Sequence, residues 1–443
     1  MTSEERRVWQ LCAQCGTRLP DDAPESSCPA CGGLLEIQHP TPRELERGGT
    51  GAAGLRARFD ARCCMTGDGA GRSGVWRFAD VVHPTATHPV SYPEGNTPLL
   101  ERERVARWSG CGGLLLKHEG MNPTGSFKDR GMTVGVTQAV RVGATAVACA
   151  STGNTSASLA SYAALAGIPA LVFVPAGQIA LGKLTQTLAY GARTLLVRGD
   201  FDACLTLARE ASSALGVYLV NSINPWRLEG QKTIALELLQ QLRWDPPDWI
   251  ALPAGNLGNT AALGKALREA YGWGLIPRLP RLLSVQASGA APFWESYTHD
   301  FSTRRTVQAQ TLATAIKIGD PASWHRAVEA IRSTNGVVAR VSDAEILEAK
   351  AVVDSAGVGC EPASAASVAG VRQLVREGAI SPDARVVAIL TGHVLKDPGI
   401  LQSYHQEQEP RPALANRPHE IEPALGEVER ILEHVREELR EKS

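Results

Sequence analysis

The stretch from residue 145 to residue 155, T-A-V-A-C-A-S-T-G-N-T, decides the fold of this chain. Its first six residues are a short, mostly apolar run of the kind that forms a buried strand, and a loop of hydroxyl, amide and glycine residues follows. A helix is predicted next, because apolar residues recur at helical spacing up to a terminating glycine: Leu159, Tyr162, Ala163, Ala166 and Gly167. A strand, a polar loop and a helix in this order are the repeating unit of an α/β protein.

The same alternation extends along most of the chain. Further β-type runs lie at 170–174, 194–197, 217–220, 249–254, 281–285, 337–341 and 385–390, with helical patterns between them. Ser342 and Glu345 form a capping box that begins one of those helices. Because repeated β-α connections require parallel strands with helices on the faces of the sheet, we predict two α/β units within residues 86–400.

Four cysteines near the N-terminus form two pairs, C-A-Q-C and C-P-A-C. Thiolates are good zinc ligands, and the two-residue spacing lets one turn present both sulfurs. Cys12, Cys15, Cys28 and Cys31 therefore predict a structural zinc site in a ribbon-like module over residues 1–40, too small to fold without its metal. Iron fits the same ligands, and chance pairing or disulfides are the alternative reading.

The composition excludes several classes of protein. The chain has 443 residues, which predicts two or three domains, and its 45 basic residues nearly balance 46 acidic ones. No apolar run approaches the length of a membrane span, and the scattered remaining cysteines suit a reducing compartment. We therefore expect a soluble cytoplasmic protein that binds neither nucleic acid nor membrane.

Two segments flank the predicted α/β body. Residues 41–85 are rich in glycine and charge and predict a linker. Residues 401–443 end in a charged amphipathic helix whose apolar residues, from Leu425 to Leu439, alternate at spacings of three and four. This stripe predicts packing against the body or across a dimer.

Three polar loops lie where a β-run meets a helix, the position at which open α/β sheets bind ligands: 151–155, 255–259 and 391–394. The G-N-L-G-N loop at 255–259 suits a phosphate, since its glycines let backbone N–H groups converge before a helix N-terminus. No P-loop is present, and G-x-G-x-x-G occurs only inside the predicted linker, which argues against a nucleotide. With Lys128 in a turn of small residues, these features meet the minimum for pyridoxal phosphate, whose aldehyde requires an amine.

Several stretches, in order between about residues 90 and 400, resemble the threonine synthase family of fold type II pyridoxal phosphate enzymes. They are E-G-N-T-P-L (94–99), N-P-T-G-S-F-K-D-R-G-M (122–132), S-T-G-N-T-S-A-S (151–158), N-S-I-N-P-W-R-L-E-G-Q-K-T (221–233), P-A-G-N-L-G-N (253–259), E-P-A-S-A-A-S (361–367) and L-T-G-H-V-L-K-D-P (390–398). The resemblance implies a tryptophan synthase β-like fold of two three-layer α/β domains with the cofactor between them. The large domain would comprise residues 86–130 and 240–400, and the small one 131–239.

The resemblance also implies roles for individual residues. Lys128 would form the Schiff base with the cofactor and act as the catalytic base, Asn154 would bind the phenolic oxygen, and Thr391 would face the pyridine nitrogen. The cofactor phosphate would lie in the loop formed by Gly255, Asn256, Leu257, Gly258 and Asn259. Substrate would be bound by Ser151 and Thr155 at its carboxylate, and by Asn221, Ser222 and Arg227 at its phosphate.

The implied reaction converts O-phospho-L-homoserine and water to L-threonine and phosphate, the last step of threonine biosynthesis, in an enzyme expected to be a homodimer. The discriminating stretch is 221–233, because dehydratases have no substrate phosphate to hold. Two alternatives remain open: a threonine or serine dehydratase or phosphoserine-using synthase with the same cofactor residues, and a catalytically dead paralogue that acts through its zinc ribbon.

Overall fold

The computed structural model describes residues 7–63, 69–177 and 181–441. The chain forms two compact units, Met1–Pro398 and Gly399–Ser443. The strands in the described residues are β1 Trp9–Cys12, β2 Arg18–Pro20, β3 Leu35–Gln38, β4 Leu99–Glu101, β5 Gly113–His118, β6 Ala146–Ala150, β7 Ala170–Pro175, β8 Arg193–Val197, β9 Val217–Leu219, β10 Trp249–Pro253, β11 Arg281–Ala287, β12 Val337–Val341 and β13 Arg385–Leu390.

The α-helices are α1 Gly51–Cys63, α2 Ala79–Val82, α3 Glu103–Ser109, α4 Lys128–Arg141, α5 Asn154–Ala166, α6 Leu181–Ala189, α7 Phe201–Leu215, α8 Pro225–Gln231, α9 Thr233–Gln241, α10 Gly258–Gly272, α11 Pro292–Tyr297, α12 Trp324–Ser333, α13 Asp343–Ser355, α14 Pro362–Arg376, α15 Pro398–Gln402 and α16 Leu425–Glu441. The helix after the opening stretch ends at Gly167, whose φ of 68° is left-handed, as predicted. The predicted capping box of Ser342 and Glu345 begins α13.

The larger sheet has six strands in the order β12-β11-β10-β13-β5-β4. All neighbours are parallel except β4, a short strand that the sequence pattern did not predict and that pairs antiparallel with β5. Helix α14 packs on β10, β11 and β13, while α10 and α12 pack against β11. Helix α9 also packs into the larger core through Ile234 and Leu238, whereas the sequence placed residues up to 239 in the smaller domain.

The smaller sheet has four parallel strands in the order β8-β7-β6-β9. Its central strand β6 is buried on both faces: Val147 and Cys149 pack with residues of α4 and α5, and Ala148 and Ala150 pack with residues of α7. Side chains alternate between the two faces of a strand, so a wholly apolar run is what two helical layers require. The two predicted three-layer α/β arrangements are confirmed.

The segment 41–85 is not a linker, contrary to the prediction from its glycine content. Helix α1 lies within it, and its Leu55 and Phe59 are fully buried in the core of the larger sheet. Phe59 packs edge-on against Phe78 at 5.0 Å between ring centroids. Trp76 donates from Nε1 to Oγ1 of Thr133 at 2.8 Å. The segment packs on the larger sheet because its few large apolar side chains are buried there, although its content of glycine and charged residues predicted a linker.

The four-cysteine module is a small antiparallel sheet with the strand order β2-β1-β3. Val8 and Ile37 extend from it into the core of the larger α/β body, with 5% and 1% of their surface exposed. The module is therefore packed on the body rather than tethered to it.

The second unit contains the predicted amphipathic helix, α16. Its apolar stripe is exposed at Leu425, Val428, Leu432 and Val435. The predicted last member of the stripe, Leu439, has a side chain outside the described part of the structure. No described helix is long and apolar enough to cross a membrane.

Candidate active site

The predicted polar loops converge on one cavity of about 960 Å³. The cavity lies where β6 of the smaller sheet and β10 and β13 of the larger sheet end, so the carboxyl ends of strands from both sheets face it. The turn that precedes α4 closes a further side. Among the predicted site residues, those that line it are Lys128, Ser151, Asn154, Thr155, Asn221, Ser222, Gly255, Asn256, Leu257, Gly258, Asn259 and Thr391.

Lys128 begins α4, and its Nζ lies 4.3 Å from the centroid of the Phe127 ring. Burial, reinforced by the nearby guanidinium of Arg227, lowers the pKa of Lys128 to about 7, while Glu361 opposes the shift. A substantial fraction of the Lys128 amine is therefore neutral near pH 7, and the neutral amine is the form that attacks an aldehyde.

Asp129 holds the turn in front of Lys128. Its carboxylate accepts hydrogen bonds from the backbone N–H of Thr124 at 2.7 Å and from the Thr124 hydroxyl at 2.6 Å. The hydroxyl of Ser158 in α5 donates to it as well, at 2.6 Å. Burial raises the pKa of Asp129 to about 6, and the hydrogen bonds from Ser158 and Thr124 oppose that rise. Asp129 thus joins the turn to α5.

A buried charge network, which no local sequence pattern revealed, lies beneath α4. Arg130 Nε is 2.7 Å from Oε2 of Glu119, and its Nη2 is 2.8 Å from Oε1 of Glu237. Lys117 and Arg77 approach the carboxylate of Glu237 at 2.6 and 2.7 Å. The Arg77–Glu237 pair joins residues 160 positions apart, so only the fold brings these charges together. The network fixes the start of α4, and with it Lys128, on the larger sheet.

The loop 255–259 fits a phosphate. Leu257 has a left-handed φ of 63°, and α10 begins directly after it, so the backbone N–H groups at the helix start face the cavity side. A Cβ on Gly255 would lie 3.0 Å from the Cα of Ile316, a closer contact than side chains normally make, so the backbone here is crowded. The side-chain amide of Asn259 is buried, and neither its oxygen nor its nitrogen has a hydrogen-bond partner in the described residues. A buried amide without a partner is expected where a polar ligand binds.

Glu361 joins the two residues predicted to contact the cofactor ring. Asn154 donates from Nδ2 to its Oε2 at 2.9 Å, and the hydroxyl of Thr391 donates to its Oε1 at 3.1 Å. A Cβ on Gly392 would lie 2.4 Å from the Glu361 carboxyl carbon, so a larger residue there would push this carboxylate away from Asn154 and Thr391. Burial raises the pKa of Glu361, although these hydrogen bonds and the charges of Lys396 and Lys128 lower it. The E-P-A-S-A-A-S stretch marked this residue, but its role was not predicted.

The predicted substrate residues on the smaller sheet line the cavity wall. Asn221 is hydrogen-bonded to the end of β6, because its Oδ1 accepts a hydrogen bond from the backbone N–H of Ala150 at 3.1 Å. Ser222 accepts a hydrogen bond of 2.5 Å from the side chain of Asn256 and so connects the two predicted phosphate-binding segments. Ser151 and Thr155 lie at the start of α5, near its positive end.

Arg227 is the predicted site residue that does not line the cavity. It is fully buried, and its Nη1 donates to the carbonyl of Val220 at 3.1 Å. Its Nε and Nη2 are buried without a hydrogen-bond partner in the described residues. Burial lowers the pKa of Arg227 to about 10. A guanidinium with two unsatisfied donors next to Lys128 is unstable unless an anion joins it, because buried charges need partners.

The four cysteines form a separate cluster in which all sulfurs lie within 4.8 Å of one another. The sulfurs of Cys12 and Cys31 are 3.5 Å apart, and those of Cys15 and Cys28 are 3.6 Å apart. Four thiolates about 2.3 Å from one zinc ion would be separated by nearly this distance. The donor set therefore fits a tetrahedral metal site.

Residues 90–392 match the family model described as pyridoxal-phosphate dependent enzyme, and the chain belongs to this family. The more similar relatives are threonine synthases. That of Methanosarcina acetivorans is 45% identical over 392 residues, which cover 87% of this chain and 92% of the relative. That of Mycobacterium tuberculosis is 49% identical over 314 residues, covering 70% and 84%. Threonine synthase 2, chloroplastic, of Arabidopsis thaliana is 38% identical and covers 96% and 86%.

Solved structures share the fold at lower identity. A fungal L-serine ammonia-lyase from Rhizomucor miehei matches with a TM-score of 0.61 at 23% identity, covering 71% of this chain and 98% of that one. Maize serine racemase matches with a TM-score of 0.61 at 22% identity, covering 74% and 95%. These similarities establish the fold, fold type II. The substrate has to be inferred from the residues of the site.

Proposed function

We propose that this chain is a threonine synthase that converts O-phospho-L-homoserine and water to L-threonine and phosphate. Relatives of that name align along most of the chain, at 45% identity over 87% of its length in one case. The observation that carries the proposal is the buried guanidinium of Arg227, which has two donors without partners and lies close enough to depress the pKa of Lys128. A substrate phosphate bound in the adjoining cavity would supply the missing acceptor once the guanidinium turns toward it.

Pyridoxal phosphate, when bound, withdraws electrons from the substrate and makes its Cα proton acidic. Lys128 would hold the cofactor through its amine, the loop 255–259 would hold the phosphate, and Asn154 and Thr391 would contact the ring. The unpartnered amide of Asn259 and the crowded Gly255 support this assignment.

Lys128 would also move protons during the reaction. Once the substrate amine has displaced Nζ from the cofactor, its pKa of about 7 would let it accept a proton from Cα near neutral pH, and after passing that proton on it would accept the second one from Cβ. Ser151 and Thr155, at the start of α5, would bind the carboxylate, where the positive end of the helix favours an anion. Asn221, Ser222 and Arg227 would bind the phosphate. Arg227 would have to leave the carbonyl of Val220 to reach the cavity.

The test is a product assay on protein reconstituted with pyridoxal phosphate. O-phospho-L-homoserine should yield phosphate and threonine in equal amounts, and Lys128→Ala should abolish both products together with the visible absorbance of the bound cofactor. Ammonia and 2-oxobutyrate from threonine alone, without phosphate release from the phosphorylated substrate, would identify a dehydratase instead. A colourless wild-type protein after reconstitution would favour the dead paralogue.

We further propose that the four-cysteine cluster binds zinc and that the enzyme is a cytoplasmic homodimer. The sulfur–sulfur distances of 3.5 and 3.6 Å support the metal. None of the described cysteines is disulfide-bonded, which supports a reducing compartment. The exposed apolar stripe of α16 supports self-association. Metal analysis and light scattering on the purified chain test these points.

A further inference from the structure

The four-cysteine module contacts the helix that carries Arg227 through a buried cluster of charges. His39, directly after β3, lies against α8, and its Nε2 is 2.6 Å from Oε2 of Glu229. Lys265 of α10 joins the cluster, because its Nζ pairs with Glu229 and donates to the carbonyl of Ile37 in β3 at 2.6 Å. The side chains of His39 and Glu229 are 3% and 1% exposed. Water therefore does not replace these contacts.

A second contact ties the same strand to the body closer to the cysteines. Arg326 of α12 donates to the carbonyl of Leu35, and its Nε lies 3.1 Å from Oε1 of Glu36. In the antiparallel pairing of β1 with β3, Leu35 is opposite Cys12. One strand thus connects the sulfur cluster at its beginning to α8 at its end.

Helix α8 packs between this module and α4, the helix that begins at Lys128. Gly230 lies against α4 so closely that a Cβ on it would be 1.8 Å from the carbonyl oxygen of Arg130. Glu229 faces the module, and Arg227 lies two residues before it in the same buried helix. Because all of α8 is buried, a displacement on the module side must move Arg227 relative to Lys128.

The charges of the cluster make His39 the suitable residue to substitute, because Glu229 keeps other cationic partners. Burial opposes the ionisation of Glu229, but Lys232, Lys265 and His39 together hold its pKa well below the usual range. Lys232 lies 2.6 Å from the Glu229 carboxylate. The two lysines would keep Glu229 ionised without His39, so losing the His39 hydrogen bond removes the direct side-chain contact between the module and α8 while the buried charges stay paired.

We propose that the four-cysteine module positions α8 for substrate binding, with His39 and Glu229 as positioning residues that act through Arg227. This inference rests on the proposed function, in which Arg227 binds the substrate phosphate. It assigns the module a role in phosphate recognition, because Arg227 lies in α8 and none of the predicted cofactor contacts does.

The test compares His39→Leu with His39→Gln in the full-length, cofactor-loaded protein. Leucine removes the donor to Glu229, whereas the amide nitrogen of glutamine can take the place of Nε2. Inorganic phosphate is titrated into each protein by calorimetry, and KM and kcat are measured with O-phospho-L-homoserine. His39→Leu should weaken phosphate binding and raise KM by on the order of tenfold, because remote displacements of about 1 Å can cost up to 100-fold. Its kcat and its affinity for pyridoxal phosphate should change less than about twofold, and His39→Gln should restore wild-type binding.

Asp21→Asn is the matched control. Asp21 also joins the module to the body, through Thr85 at 2.8 Å and Arg141 at 2.8 Å, but it does not contact α8. It should leave phosphate binding unchanged. The inference is overturned if His39→Leu binds phosphate like the wild type, if it loses cofactor affinity to the same extent, or if Asp21→Asn behaves identically. A wild-type protein that neither binds phosphate nor makes threonine would instead overturn the proposed function.

Discussion

At the scale of single residues, the low pKa of Lys128 has a direct kinetic consequence. Burial and Arg227 lower this pKa to about 7, and the neutral amine is the form that attacks the cofactor aldehyde. The rate at which the apoprotein captures pyridoxal phosphate should therefore rise with pH around a midpoint near 7. Stopped-flow absorbance between pH 5.5 and 9 measures that midpoint.

The control for this prediction removes the neighbouring charge. Arg227→Met eliminates the cation that helps to lower the pKa of Lys128, so the midpoint should move to higher pH. An unchanged midpoint in Arg227→Met would show that the guanidinium does not influence the lysine.

Lys128 could be found from sequence because its whole turn matches a family pattern, but its environment could not. Its pKa depends on Arg227 and Glu361, which lie far along the chain. The network around Glu237 was missed for the same reason, because its partners are up to 160 residues apart. Sequence patterns report local spacing, whereas buried charge pairs are a property of the fold.

At the scale of elements, the crossing of α4 and α8 sets the distance between Lys128 and Arg227. A Cβ on Gly230 would lie 1.8 Å from the carbonyl oxygen of Arg130. Gly230→Ala must force the helices apart, so it should lower the free energy of unfolding by about 1–3 kcal/mol, as overpacking does. Urea unfolding of the apoprotein measures this loss, and phosphate binding should weaken in parallel.

Gly272→Ala serves as the comparison for the helix-crossing prediction. Gly272 ends α10, and a Cβ there meets nothing within 4 Å. Alanine has the better helix propensity, so this variant should be neutral or up to about 1 kcal/mol more stable. Equal losses of unfolding free energy in the two variants would show that close packing at Gly230 is not what destabilises Gly230→Ala.

Strands and helices with a strong pattern were predictable, and weakly patterned elements were not. Strand β6 is apolar throughout because helices cover both of its faces. Helix α1 has glycines and charges, and it buries only Leu55 and Phe59, so its sequence resembled a linker. The short strand β4 exists because β5 pairs with it, which its own sequence does not indicate.

At the scale of the whole molecule, the cavity exists because two sheets end at the same place. Loops that are 100 residues apart or more, such as 151–155 and 255–259, meet there only when both sheets have formed. The sequence predicted each loop as a ligand site from its place between a strand and a helix. It did not predict that Arg227 lies behind the cavity wall, since the direction of a buried side chain depends on the packing around it.

The free energy of unfolding should also depend on pH through buried histidines, and His83 allows a clean measurement. Burial lowers the pKa of His83 to about 3 from an ordinary value of 6.5. Between these values the unfolded chain binds a proton that the folded chain does not, so acidification destabilises the fold by up to about 1.4 kcal/mol per pH unit.

The His83 ring stacks on Trp226 at 4.0 Å between centroids, and phenylalanine would keep that contact without titrating. The difference in unfolding free energy between His83→Phe and the wild type should therefore shift in favour of the variant by about 1.4 kcal/mol per pH unit from pH 6 to 4, measured by urea unfolding of the apoproteins. His83→Gln also cannot titrate but loses the stacking, so its difference from the wild type should change with pH at the same rate while its unfolding free energy is lower throughout. If neither variant differs from the wild type in a pH-dependent way, His83 is not neutral and buried in the folded protein.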